Sequence, residues 1–239
     1  VRGAQDMIAA GADIIDIGGE STRPGADFVD AVEEARRTTP VIAALRAAGA
    51  GTPLSIDTRK ARVARSAFEA GAVLFNDVTA LSYDVDSLAT AAELGASVCI
   101  MHAGGDPKTM QDKPEYDNVL LDVYDYLAGR IQACEAAGIR RAKIMIDVGI
   151  GFGKTQTHNL ELLRGIALFH GLGCPILLGA SRKRFIGTIG NAPDAANRVA
   201  GSIAVGLNAL NQGVQMLRVH DIAETKQAIA LNAALTKQG

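Results

Sequence analysis

The sequence predicts an α/β fold, a TIM-type (βα)8 barrel, and three observations carry that expectation. Short apolar runs alternate with helix-like segments, the pattern of parallel βαβ units. Most helix-like segments end on a glycine, which takes the left-handed conformation past a helix end without a Cβ clash. Nearly every apolar run ends on a polar group. Buried parallel strands are mostly apolar, and barrel enzymes collect their reactive groups at the carboxyl ends of such strands.

Taken in order, a helix near 2–11 closes at Gly11, and a strand near 13–18 runs through Asp16 into Glu20-Ser21-Thr22-Arg23. A helix near 28–48 leads to a strand at 54–57 that ends on Asp57-Thr58. The next helix, 59–70, is followed by strand 73–77 with Asn76-Asp77 at its end, and helix 86–94 by strand 97–102 with His102. An irregular stretch, Ala103 to Asn118, reads as an active-site loop. Helix 119–137 then precedes strand 143–147, ending on Asp147, and helix 158–170 precedes strand 175–180, which leads to Ser181-Arg182-Lys183. Helix 193–212 feeds strand 214–219 with Arg218, followed by His220-Asp221, and helix 222–236 completes the chain.

The count is seven strands and eight helices with a helix first, whereas such a barrel begins with a strand. The expectation is therefore a single barrel domain, 1–239, whose first strand is missing from a chain that starts at Val1. A doubly wound open sheet is disfavoured because no Gly-rich dinucleotide fingerprint follows an early strand.

With 239 residues the chain can bury a substantial core. Its net charge of −2 argues against a nucleic-acid surface, which needs a basic field. Cys99, Cys134 and Cys174 form no CxxC pair, and their odd number suits reduced thiols. No apolar stretch reaches the roughly 20 residues of a membrane span, and no signal-peptide pattern opens the chain. A cytoplasmic enzyme without nucleic-acid or membrane partners is expected.

Asp16, Asp57, Asp147 and Asn76 lie within or at the ends of strands, where an isolated charge is costly. One such carboxylate alone would read as a helix cap or a partner of a nearby Lys or Arg. Several on neighbouring strands suit a planar nitrogen heterocycle, whose NH and amino donors a carboxylate accepts in pairs. Arg23, Lys183, Arg218 and His220 bring the opposite sign to the same rim, where Arg matches phosphate oxygens and Lys adds a point charge. Together they predict a heterocycle at the floor and a phosphate or diphosphate at the rim. Gly149 through Thr155 fails the P-loop pattern, since Val148 stands where its first glycine is needed. His102 is open to both a basic and a structural role, His158 and His170 read as structural, and no His/Cys spacing favours zinc.

The chain resembles the dihydropteroate synthase family over essentially its whole length. The motifs are Asp16-Ile17-Gly18-Gly19-Glu20-Ser21-Thr22-Arg23-Pro24-Gly25, Ser55-Ile56-Asp57-Thr58, Phe75-Asn76-Asp77, Met101-His102, Asp147 through Lys154, Gly179-Ala180-Ser181-Arg182-Lys183 and Leu217-Arg218-Val219-His220-Asp221. The resemblance implies that 4-aminobenzoate displaces diphosphate from 6-hydroxymethyl-7,8-dihydropterin diphosphate, giving 7,8-dihydropteroate for folate synthesis. It places Asp57, Asn76, Asp147 and Lys183 at the pterin and Arg23, Arg218 and His220 at the diphosphate. Thr22, Pro24, Phe152, Ser181 and the Lys183 stem would shape the aminobenzoate site. Asp147, Lys183 and Asp57 would be the catalytic groups, with Asp147 stabilising a pterin methylene cation.

It also implies magnesium, bound mainly through the substrate diphosphate, and a homodimer. Two departures stand out. Val148 replaces the family's usual proline, which should change turn stiffness alone. The family's first strand carries an asparagine that helps bind the magnesium–diphosphate; no residue here can take that role, so no metal ligand is assigned and little synthase activity is expected of the chain as given. The alternatives are a methyltetrahydrofolate methyltransferase, which shares the barrel but lacks the Ser181-Arg182-Lys183 and Ser21-Thr22-Arg23-Pro24 sites, and a non-catalytic pterin-binding homologue.

Overall fold

The computed structural model describes residues 1–22, 26–105 and 114–236. Arg23 and Pro24, and the part of the expected active-site loop at 106–113, lie outside these residues. Seven parallel strands form one sheet in sequence order: β1 (Ile15–Gly18), β2 (Leu54–Asp57), β3 (Leu74–Asp77), β4 (Ser97–Met101), β5 (Ile144–Asp147), β6 (Ile176–Leu178) and β7 (Met216–Leu217). The sheet is curled: Arg218, just after β7, reaches Asp16 in β1 at 2.7 Å. Among the described residues β1 and β7 are its two edges and do not pair with each other.

The helices are α1 (Arg2–Ala9), α2 (Ala31–Ala47), α3 (Ala61–Glu69), α4 (Ser87–Glu93), α5 (Val119–Ala136), α6 (Gln156–Arg164), α7 (Arg184–Ile189), α8 (Val199–Asn211) and α9 (Ile222–Thr236). Nine α-helices among the described residues correct the expected eight. The addition is α7, a six-residue helix straight after Lys183. Its sequence holds Gly187 and is followed by Gly190, both poor helix formers, so no periodic signal marked it. The expected helix at 158–170 also divides, since Gly165 ends α6 before a tighter turn at Ile166–Leu172.

Capping fixes where several helices begin. The Asp30 carboxylate accepts from the Val32 and Glu33 backbone N–H groups, and Asn118 caps Leu120 and Leu121 in the same way. Thr155 and His158 form a reciprocal capping box at α6, which assigns His158 a structural role. His170 is likewise structural, its Nε2 lying 2.9 Å from the Gln212 carbonyl oxygen.

Alternation across the strands sets the two faces of the sheet. One face packs on helices through Phe75, Ile100, Ile146 and Ile176, continuing through Ile15, Leu54 and Ile56. Inside the curl, Leu74, Cys99 and Leu177 form a smaller apolar plug with Met145 and Met216. Two residues beyond three of these stand Asn76, Asp147 and Arg218. The plug closes the interior at the amino ends of the strands, so polar groups meet above it at the carboxyl ends.

Candidate active site at the carboxyl ends of the strands

The floor is built from the inward positions of successive strands. Asp16 lies opposite Ser55, and Asp57 lies between Gly18 and Asn76 in the strand register. The Asn76 side-chain amide donates to Asp16 Oδ2 at 3.1 Å. Arg218 donates to that oxygen through Nε at 2.7 Å and to Asp57 Oδ2 through Nη2 at 3.2 Å. One guanidinium thus bridges carboxylates on two strands.

Asp147 completes the acidic set at the end of β5, where its Oδ1 accepts from the Gly149 N–H at 2.8 Å. A Cβ on Gly179 would sit 3.6 Å from Asp147 Oδ2, in ordinary contact with it. Lys183 donates to the Ile150 carbonyl, and its ammonium lies 4.7 Å from the centroid of the Phe152 ring. The structure therefore brings Asp57, Asn76, Asp147, Phe152, Lys183 and Arg218 to one end of the sheet.

Burial dominates the electrostatics. It raises the Asp57 pKa above the ordinary carboxylate range, with the like charge of Asp16 adding and Arg218 opposing. Asp147 is also raised by burial, against the pull of Lys183. Burial lowers Lys183 to about 8, with Asp147 opposing. A site of this kind stabilises its charges fully only when further donors meet the carboxylates.

At the rim, the Ser181 hydroxyl accepts from the His220 backbone N–H at 3.2 Å and lies 3.0 Å from His220 Nδ1. Arg182 turns away to an ion pair with Asp221, Nε to Oδ2 3.0 Å. Thr22 stands half-buried in the β1–α2 loop. Both ends of that loop are fastened by Glu20, which accepts from the Val29 N–H at 3.0 Å, Arg59 Nε at 3.1 Å and Lys60 Nζ at 2.8 Å. Lys60 also donates to the fully buried Glu34 at 2.6 Å.

Sequence reasoning left several of these roles unassigned. Asp16 reads in the sequence as one of three carboxylates beside an amide, yet it meets both Asn76 and Arg218. The network of Glu20, Glu34, Arg59 and Lys60 carries no motif signal of its own. Lys154 closes the motif that begins at Asp147 but has no role assigned by the sequence, and it is buried against His102. Asp77, beside Asn76, points the other way and caps the following turn through Thr79 and Leu81.

Residues 1–220 match the pterin binding enzyme family. The dihydropteroate synthase of Escherichia coli K12 is 45% identical over 229 residues, which are 96% of this chain and 80% of that relative. The chain belongs to the dihydropteroate synthase family. A Yersinia pestis dihydropteroate synthase, solved in a sulfonamide drug complex, superposes with a TM-score of 0.94 at 44% identity, covering 98% of this chain and 84% of that one. The Xanthomonas albilineans dihydropteroate synthase, solved with 4-aminobenzoic acid, gives 0.93 at 43% identity over 99% and 84%. Family membership makes the chain an enzyme, a pterin-binding transferase of folate biosynthesis. Among the described residues no helix is long and apolar enough to cross a membrane.

Proposed function

We propose that this site condenses 6-hydroxymethyl-7,8-dihydropterin diphosphate with 4-aminobenzoate, releasing diphosphate and 7,8-dihydropteroate. The observation that carries the reading is the convergence of three carboxylates and an amide on one floor, held by Arg218 and faced by Lys183.

Asp57 and Asp147 accept the ring NH and amino donors of the pterin, with Asn76 beside them and Lys183 at the pterin carbonyl. Those donors replace Arg218 on Asp57 and offset the burial that raises both carboxylates. Arg218 then turns to the diphosphate, which it shares with His220 and Arg23. As the carbon–oxygen bond to diphosphate breaks, positive charge develops on the pterin methylene. Asp147 stabilises that charge from a fixed position, which needs no reorganisation during the reaction. The aminobenzoate amine attacks the methylene carbon and loses a proton. Thr22, Pro24, Phe152, Ser181 and the Lys183 stem line its site.

Magnesium would be held mainly through the substrate diphosphate rather than in a cage of described residues. Among those described, no group of three or more His, Cys, Asp or Glu side chains is arranged to hold a metal ion, and no step is assigned to one. A cytoplasmic homodimer belongs to the same proposal. Three reduced, buried cysteines support the compartment. Leu231 and Leu235, one turn apart on α9 and largely exposed, support self-association.

The test is incorporation of labelled 4-aminobenzoate into pteroate by the purified protein with a family-like first strand joined ahead of Val1, pterin diphosphate being supplied. Product that disappears in Asp147→Asn supports the reading. Tight pterin binding without any condensation overturns it in favour of a non-catalytic binder.

A further inference from the structure

Lys154 is a buried cation that the reaction above does not use. Its Nζ lies 2.9 Å from His102 Nδ1, 3.0 Å from the Phe152 carbonyl and 3.3 Å from the His102 carbonyl. An ammonium has three donors and no acceptor, so this set matches its charged form and needs an unprotonated Nδ1 on His102. Burial, reinforced by the Lys154 charge, lowers the His102 pKa to about 3 and keeps the ring an acceptor.

Around this contact the β4–α5 and β5–α6 loops touch backbone to backbone. A Cβ on Gly149 would lie 1.9 Å from the His102 carbonyl oxygen, and one on Gly153 would lie 2.5 Å from Gly104 Cα. Both glycines have positive φ, 69° and 63°, so space and backbone each exclude a side chain. The Tyr116 hydroxyl donates to the Gly153 carbonyl at 2.7 Å, and its ring stacks edge-on with His158 at 5.0 Å. The loop fastened in this way offers the Ile150 carbonyl and the Phe152 ring to Lys183, and its Gly149 N–H to Asp147.

We propose that Lys154, seated on His102, is a positioning residue for the condensation: it clamps the β5–α6 loop so that Phe152 meets aminobenzoate, and it places a positive charge behind Asp147. The proposal rests on the site reading above. The charged groups acting on Asp147 are Lys183 after β6, Lys154 on its own loop and Arg218 after β7. Lys154 in turn feels Asp147 and Lys183, with burial lowering it to about 7, and the neutral His102 faces it from β4. Removing one cation raises the pKa of a neighbouring carboxylate. Loss of Lys154 thus moves the pH at which Asp147 ionises, which a purely structural role would leave in place.

The experiment uses that same strand-completed protein as wild type, Lys154→Met, Lys154→Arg and Tyr116→Phe. Kinetics are measured with both substrates, and dihydropterin binding is titrated from pH 5 to 9. Lys154→Met is expected to raise the KM for 4-aminobenzoate about tenfold while changing dihydropterin affinity at pH 8 less than about twofold. Its acid limb for dihydropterin binding should move up by roughly one pH unit. Lys154→Arg, which keeps the charge, should return that limb to its wild-type place. Tyr116→Phe, a milder change that keeps the ring, should raise the aminobenzoate KM by about threefold and carries the test if Lys154→Met does not fold. An unmoved acid limb in Lys154→Met, an equally displaced limb in Lys154→Arg, or an unchanged KM in Tyr116→Phe overturns the proposal. A wild-type chain without turnover overturns the reading of the site instead, and the dihydropterin titration still decides the Lys154 charge.

Discussion

Two groups of buried charge stand a few residues apart at the same end of the sheet and are composed differently. Glu20 and Glu34 against Arg59 and Lys60 balance two to two, and no side chain among them is more than 8% exposed. The floor sets Asp16, Asp57 and Asp147 against Arg218 and Lys183, with Lys154 behind Asp147, and its Arg218 side chain is 48% exposed. Each group holds one buried carboxylate oxygen without a hydrogen-bond partner, Glu34 Oε1 and Asp16 Oδ1, so that feature alone does not separate them. The open face does. The closed group fastens a loop, whereas the open one has acceptors left for a ligand's donors.

That contrast breaks first at Lys60. Lys60→Met leaves Glu20 without one partner and Glu34 without its cation, and stability should fall by about 3–5 kcal/mol, as for other broken buried pairs. Denaturant unfolding measures this, and a loss below about 1 kcal/mol would make the group peripheral. Arg218→Ala on the floor should instead weaken pterin diphosphate by about 1.5–3 kcal/mol, roughly ten- to a hundredfold, and free dihydropterin much less. Calorimetric titration of both ligands separates the two effects; equal losses would deny Arg218 its role at the diphosphate.

A different effect is expected from acid. The folded chain holds His102 at about 3 against an ordinary 6.5, so between those values the unfolded chain binds the extra proton. The His102 contribution to stability should therefore be lost as pH falls from 6.5 towards 3, on top of the opposite contribution of the raised Asp57, Asp77 and Asp147 carboxyls, and His102→Asn should remove it. Thermal melts across the window read the slope. Smallest of all is Glu33→Gln on the outside of α2. Arg36 and Arg37 hold the Glu33 carboxyl at about 2, yet all three stand in solvent, where such pairs are screened. Its melting temperature should not move beyond error.

The strands were legible because each is a short apolar run that ends at or near a polar residue. The floor was legible for the same reason, since Asn76, Asp147 and Arg218 each follow an apolar interior residue by two. What stayed hidden depends on contacts far apart in sequence. Lys154 meets His102 across 52 positions and Lys60 meets Glu34 across 26, and neither spacing repeats or belongs to a local motif. Helix α7 was hidden for a local reason, because glycine at 187 erased the periodic signal that a six-residue helix needs. The β7 strand shrank from the expected 214–219 to two residues, since only Met216 and Leu217 pair with β6.

Arg182 shows how a residue outside the site can govern both halves of it. It holds a left-handed backbone, φ 57°, that a side chain adopts at a cost of about 1–3 kcal/mol. Three contacts keep it there: its N–H on Ser202 at 2.8 Å, its carbonyl under Arg198 at 2.9 Å and its guanidinium on Asp221. Ser181 and Lys183 flank this pivot, and Asp221 follows His220, so the groups proposed to meet the amine and those proposed to meet the leaving group are geared together. A substitution at Arg182 would disturb nucleophile and leaving group in step, and a kinetic assay would record as lost chemistry what began as a released spring.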